Sequence, residues 1–282
     1  MRARRRDEVL VLAYHDIIPQ GNVAGGDRSL HLAQSTFGEQ LDSLARTHDV
    51  IPLARALGGH SGSRPAAVIT FDDAYQGAVT AGLSELARRG LPATVFVATS
   101  FLNGGDFWWD VLTAPGADAP APALRARALA ECAGLDANVR AMALRERLAD
   151  VEPSPAHARA ASEGELITAS SLPGITFGSH THRHPNLARL TGETLDAELA
   201  HPLRWLRERF SNVLPVISYP YGLSSPDVER AAAHAGYEAG LRIEGGWLTR
   251  GERNAFALPR LDVPSGLSRA GFALRCAGIR FR

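Results

Sequence analysis

His180 and His184 stand four residues apart in the stretch Ser179-His180-Thr181-His182-Arg183-His184-Pro185, close enough to converge on one divalent metal. Neutral imidazoles with one carboxylate form a common ligand set for a hydrolytic Zn²⁺, which keeps a further position open for water. Earlier in the chain, Asp72 and Asp73 follow the apolar run that ends in Thr70-Phe71. They offer that carboxylate and a second one free to act as a base. Together these residues point to metal-assisted hydrolysis.

Such side chains need a frame that brings distant segments together. Short apolar strands alternate with helical patterns along the chain, the signature of βα units around a parallel sheet or barrel. Strands are predicted at Val9–Tyr14, Ala66–Phe71, Ala93–Val97, 175–177 and 216–219. Helices are predicted over 36–46, with Thr36 and Glu39 in capping-box spacing, and over 77–89, stopping at Gly90. Further helices are predicted over 193–210 and from Ser225-Pro226, a cap followed by proline at the first helical position. His15, Asp72, Asp73, His180, His184 and Tyr221 all fall just past the carboxyl end of a predicted strand, the rim where barrel active sites gather. Residues 114–162, rich in Ala, Pro and Arg, break the rhythm and read as a helical insertion, with pieces near 124–133 and 139–150. The expectation is one domain over 1–282.

A chain of 282 residues, 45% hydrophobic, is long enough to bury a barrel-sized core. The formal net charge of +0 gives no overall electrostatic reason to expect a nucleic-acid partner. Cys132 and Cys276 lie far apart and form no metal knuckle or redox motif, so they read as structural thiols. The basic start resembles a signal-peptide n-region, but the apolar run 9–14 is interrupted by His15-Asp16 and lacks a small-residue cleavage site. No run approaches membrane-spanning length. A cytoplasmic location is the expectation, and the sequence leaves the oligomeric state open.

These pieces resemble the polysaccharide deacetylase family, the NodB-homology carbohydrate esterases, over most of the chain. Thr70-Phe71-Asp72-Asp73-Ala74-Tyr75 matches the family's first motif, with Ala74 at the usual glycine. His180-Thr181-His182-Arg183-His184 matches the second. The third, Ile217-Ser218-Tyr219-Pro220-Tyr221-Gly222, has Ser218 where an arginine is usual. Tyr14-His15-Asp16 and Leu258-Pro259-Arg260 resemble the permuted branch of poly-N-acetylglucosamine deacetylases, and no C-terminal leucine-x-histidine motif is present, since no histidine follows His234.

The resemblance implies an α/β fold, an incomplete (β/α) barrel, and removal of an N-acetyl group from an amino sugar or polysaccharide. It implies one divalent metal held by Asp73, His180 and His184, with Zn²⁺ the first choice and Co²⁺, Ni²⁺ or Fe²⁺ also suited to the ligands. Asp72 would be the general base toward the attacking water, and His15 the general acid for the leaving amine. Tyr221 would lend its backbone N–H to an oxyanion hole. Arg260 would either orient Asp72 through a bidentate pair or lie on the surface. His182 is expected to point away from the metal, and Trp108 and Trp109 to form either a substrate wall or core packing. The rival readings are a deformylase or cyclic-amide hydrolase of the same fold and a carbohydrate-binding pseudoenzyme.

Overall fold

The computed structural model describes residues 8–60, 62–114, 116–146, 154–249 and 254–278. The described strands are β1 (Val9–Tyr14), β2 (Asp16–Ile18), β3 (His31–Ala33), β4 (Asp49–Val50), β5 (Ala66–Phe71), β6 (Ala93–Val97), β7 (Ile175–Ser179), β8 (Val213–Ser218), β9 (Ala239–Leu241), β10 (Trp247–Leu248) and β11 (Leu261–Asp262). The main sheet runs β10-β1-β5-β6-β7-β8-β9, parallel from β1 through β9, with β10 antiparallel to β1. Its two edges curl toward each other through residues 258–262. Leu258 bridges Leu241 of β9, and β11 pairs with β1. The result is a curled, incomplete (β/α) barrel.

Strands buried on both faces read as unbroken apolar runs, which is why β1, β5 and β6 fall where the sequence predicts them. Alternate residues divide between the two faces. Val9, Val11, Ala66, Val68, Phe96 and Val216 pack inside the curl. Leu10, Leu12, Tyr14, Ala67, Ile69 and Phe71 face the surrounding helices.

Around the sheet lie α1 (Gln34–Thr47), α2 (Leu53–Leu57), α3 (Leu83–Arg89), α4 (Trp108–Val111), α5 (Pro122–Glu131), α6 (Asp136–Glu146), α7 (Glu163–Ser170), α8 (Gly192–Arg209), α9 (Pro226–His234) and α10 (Arg269–Cys276). The capping box expected at Thr36 and Glu39 does not form. α1 starts two residues earlier, straight out of β3, with Ala33 at the cap and no side-chain hydrogen bond. The helix expected over 77–89 opens with a wide π turn, Ala78–Gly82, and closes at left-handed Gly90. Ser225 caps α9 as expected, its hydroxyl accepting from the Val228 N–H. In the 114–162 stretch, helices cover Pro122–Glu131 and Asp136–Glu146, and the end of the piece expected over 139–150 lies outside the described residues. No described helix is long and apolar enough to cross a membrane.

Candidate active site

Strand alternation delivers the site. In β5 the inward positions 66 and 68 continue to Thr70 and Asp72. In β8, inward Val216 is followed two residues later by Ser218. Where the strands end, the chain turns sharply. Asp73, Ala74, Thr181, His184 and Tyr221 have positive φ, five of the seven described non-glycine residues that do. Left-handed backbone of this kind costs energy, and it persists where the surrounding structure fixes side-chain direction, commonly at functional sites. Ala74, at the position the family usually gives to glycine, is itself left-handed at φ 57°.

Asp73, His180 and His184 form a buried triangle. Asp73 Oδ1 lies 3.4 Å from His180 Nε2 and 3.3 Å from His184 Nε2, and the two nitrogens are 3.1 Å apart. Ligands held about 2.0–2.1 Å from a tetrahedral ion sit about 3.3 Å from one another, so the triangle has the size of one coordination face. His180 Nδ1 donates to the Ser218 carbonyl at 2.8 Å, which leaves Nε2 with its lone pair. Burial lowers the His180 pKa to about 4, and burial together with His180 lowers that of His184 well below the ordinary value. Both imidazoles are therefore neutral, as ligands require. Asp73 Oδ1 is buried without a hydrogen-bond donor, and burial, with Asp72 and Asp110 close by, pushes its carboxyl well up. A carboxylate left so short of positive charge suits a cation.

Asp72 stands in the opposite situation. Arg260, fully buried, donates from Nη1 to Asp72 Oδ1 at 2.8 Å and from Nη2 to Oδ2 at 2.7 Å. Burial alone would raise the Asp72 pKa, but Arg260, with His180 and His15 nearby, holds it well below the usual carboxylate range. The same guanidinium reaches Ser218 Oγ at 2.7 Å, Thr70 Oγ1 at 3.1 Å and the Arg242 carbonyl at 3.1 Å. Ser218, where the family motif usually has an arginine, instead accepts a hydrogen bond from an arginine supplied by residue 260. The surface reading of Arg260 is thus replaced by a bidentate pair in the barrel interior.

His15, half-buried, lines the same cavity of about 190 Å³ as Asp72, Asp73, His180, His184 and Tyr221. His182 turns away, its Nδ1 2.9 Å from Thr99 Oγ1 and its ring against His201. The Tyr221 hydroxyl accepts from Trp108 Nε1 and donates to the Gly134 carbonyl, both at 3.2 Å. Trp108 and Trp109 are both buried, and Trp109 also lines the cavity, with its ring 4.8 Å from that of His184. It is core and wall at once.

A second buried cluster, Asp16, His31 and His157, escaped the sequence reading. Asp16 Oδ2 lies 2.8 Å from His31 Nδ1 and 2.7 Å from His157 Nδ1. These are hydrogen-bond lengths, shorter than the edge of a metal coordination face. The other His31 nitrogen, Nε2, meets Asp110 Oδ1 at 2.9 Å, and Tyr75 donates to Asp110 Oδ2 at 2.8 Å. Burial would lower the His31 pKa, but Asp110 and Asp16 on either side raise it to about 10. His31 is an imidazolium bridge from the segment that carries His15 to the helix that carries Trp109. Aspartate next to each of those two residues was the only signal, and a lone histidine in β3 gave none.

A family model described as polysaccharide deacetylase matches residues 59–240. The chain belongs to the polysaccharide deacetylase family. The match spans Asp72, Asp73, His180, His184 and Tyr221, whereas His15 and Arg260 lie outside it. A putative polysaccharide deacetylase, YxkH of Bacillus subtilis (strain 168), is 32% identical over 99 residues, covering 35% of each chain. Among solved structures, the Streptococcus pyogenes deacetylase PplD in complex with acetate superposes with a TM-score of 0.64 at 16% identity, covering 94% of this chain and 96% of its own. IcaB from Ammonifex degensii superposes with a TM-score of 0.66 at 14% identity, covering 96% of both. At those identities the likeness is one of fold. The family's deacetylases are metal-dependent, and membership supports carbohydrate deacetylation here.

Proposed function

We propose that this polysaccharide deacetylase is a metal-dependent hydrolase that removes the N-acetyl group from an amino sugar, free or within a glycan. The carrying observation is the pairing of a neutral two-histidine, one-carboxylate triangle with an adjacent carboxylate clamped by arginine. Asp73, His180 and His184 hold the metal, and Zn²⁺ suits them best. A divalent ion bound there supplies Lewis acidity and lowers the pKa of water.

The chain's own residues do the rest. Asp72, kept ionised by Arg260, accepts the proton of the attacking water. As oxygen adds to the amide carbon, charge develops on the carbonyl oxygen, and the Tyr221 backbone N–H stabilises it. His15 gives a proton to the amide nitrogen as the C–N bond breaks, so that acetate and a free amine leave. Arg260, paired in bidentate fashion with Asp72, is a positioning residue for that base.

Release of acetate is measured over a panel of N-acetyl amino sugars and their oligomers, alongside metal analysis of the purified protein. About one ion per chain and acetate release from at least one sugar are expected. Formate release from an N-formyl sugar with no acetate from any N-acetyl sugar would replace this reading with a deformylase. Stoichiometric metal with no turnover on any N-acyl sugar would replace it with a binding protein.

A further inference from the structure

His15, Ser29, Trp109 and Arg125 line the catalytic cavity from segments that contribute nothing to the Asp73–His180–His184 triangle. One buried network of hydrogen bonds reaches all four segments, and His31 is its centre. His31 Nε2 meets Asp110 Oδ1 at 2.9 Å, and the same oxygen accepts the Asp27 N–H at 2.9 Å. Asp27 in turn accepts from the Ser29 hydroxyl at 2.6 Å and from Arg125 Nη1 at 3.0 Å. Tyr75 donates to Asp110 Oδ2 at 2.8 Å and accepts from Trp109 Nε1 at 2.8 Å. On its other side, His31 Nδ1 reaches Asp16 Oδ2 at 2.8 Å, where His157 Nδ1 also arrives at 2.7 Å. The side chains of His31, Asp16, Asp110 and Asp27 are fully buried.

Strand alternation carries this anchoring to His15. β2 begins at Asp16, which pairs with His31 of β3 and donates its N–H to the Leu30 carbonyl at 3.1 Å. Successive side chains of an extended chain leave on opposite faces. The Asp16 carboxylate is held outside the cavity lining, and the His15 ring therefore turns into it. That ring has no hydrogen-bond partner of its own among the described residues, so its direction follows from the backbone that Asp16 fixes. Only an imidazolium donates from both nitrogens, which lets His31 hold Asp16 and Asp110 at once. Hydrogen bonds between ionised partners are also about twice as strong as neutral ones.

We propose that His31 is a positioning residue for proton donation by His15, tying the general acid and the Trp109 wall together through Asp16 and Asp110. The proposal rests on the deacetylase reading, in which His15 protonates the leaving amine. The test sets His31→Gln and the isosteric Asp16→Asn against wild type, all loaded with Zn²⁺, on an N-acetyl amino sugar and on an activated acetate ester. Both variants should lower kcat on the amide by about 10- to 100-fold, the scale of a catalytic group misplaced from a distance, with metal content intact and far smaller losses on the ester. In a His15→Ala background the same substitutions should cost nothing further on the amide, because they act through the residue already removed. Equal losses on amide and ester, an undiminished loss in the His15→Ala background, or an amide kcat equal to that of wild type would overturn the proposal. If His31→Gln does not fold, Asp16→Asn carries the same comparisons. NMR couplings across the χ1 bond of His15 read its placement apart from turnover. Wild type should show one rotamer and the variants an average of several. That pattern supports the positioning even where wild type releases no acetate, a result that would sink the deacetylase reading instead. One unchanged rotamer in wild type and variants overturns the positioning alone.

Discussion

Adjacent aspartates in this chain occupy opposite electrostatic situations, and the proposed mechanism divides the work between them accordingly. Asp73 has a buried oxygen without a donor and a carboxyl pushed up, whereas Asp72 has a guanidinium fork and a carboxyl pushed down. Asp73→Asn should lose the metal. Asp72→Asn should keep it and lower kcat by about 10²-fold or more, the scale of general-base assistance. Metal content and kcat measured on both variants check this, and loss of metal in Asp72→Asn alone would reverse the assignments. On the proposed mechanism, Arg260 would set the working range of Asp72 as base. Because a depressed pKa keeps Asp72 ionised far into acid, removing Arg260 raises that pKa, and activity should fail at higher pH as the solution is acidified. Arg260→Met should therefore move the acid limb of kcat/KM upward, and it should cost about 3–5 kcal/mol in urea unfolding, since a buried carboxylate loses its partner. An unmoved acid limb would remove Arg260 from the positioning role. His15→Ala should lower amide hydrolysis by about 10² to 10⁴ with metal content intact, and should hurt an activated ester far less, because that leaving group needs no proton. Equal losses on both substrates would give His15 another role.

At the scale of elements, β1, β5 and β6 were legible because their apolar runs are buried on both faces, a local property of the sequence. The residues that end them were legible for the same reason. Contacts made across long separations were legible only where a resemblance supplied them. Arg260 meets Asp72 from 188 residues away, a pairing that Ser218 and the Leu258-Pro259-Arg260 match offered as one of two readings. His31 meets Asp110 across 79 residues, with no motif to announce it. The box at Thr36 and Glu39 misled because a capping signal states where a helix can begin, while β3 hands the chain directly to α1 at Gln34. The imidazolium bridge has a consequence for stability. His31 has its pKa raised from 6.5 to about 10 on folding, so its contribution is full below about 6.5 and is lost as pH rises through about 10. Thermal midpoints of wild type should fall across that window, and the wild-type advantage over His31→Gln should shrink in step. A difference between the two proteins that does not vary over pH 6.5 to 10 would show that His31 is neutral in the folded state.

For the whole molecule, a sheet that curls without closing through continuous strands sets both the site and its surroundings. Parallel strands aim their carboxyl ends at one rim, where His15, Asp72, Asp73, His180, His184 and Tyr221 meet in a single cavity. Arg260 fills the interior beneath them, its guanidinium 5.6 Å from the Phe96 ring centroid. On the proposed reading, one metal ion in the Asp73–His180–His184 triangle makes this site hydrolytic. The direct measurement removes metal with a chelator and titrates Zn²⁺ back while following acetate release from an N-acetylglucosamine oligomer. Activity should vanish on removal, return in proportion to added Zn²⁺ and level off at about one equivalent per chain, and His180→Ala, His184→Ala double-variant protein should not recover. Full acetate release from metal-free protein, or recovery in the double variant, would show that hydrolysis here needs no metal in that triangle.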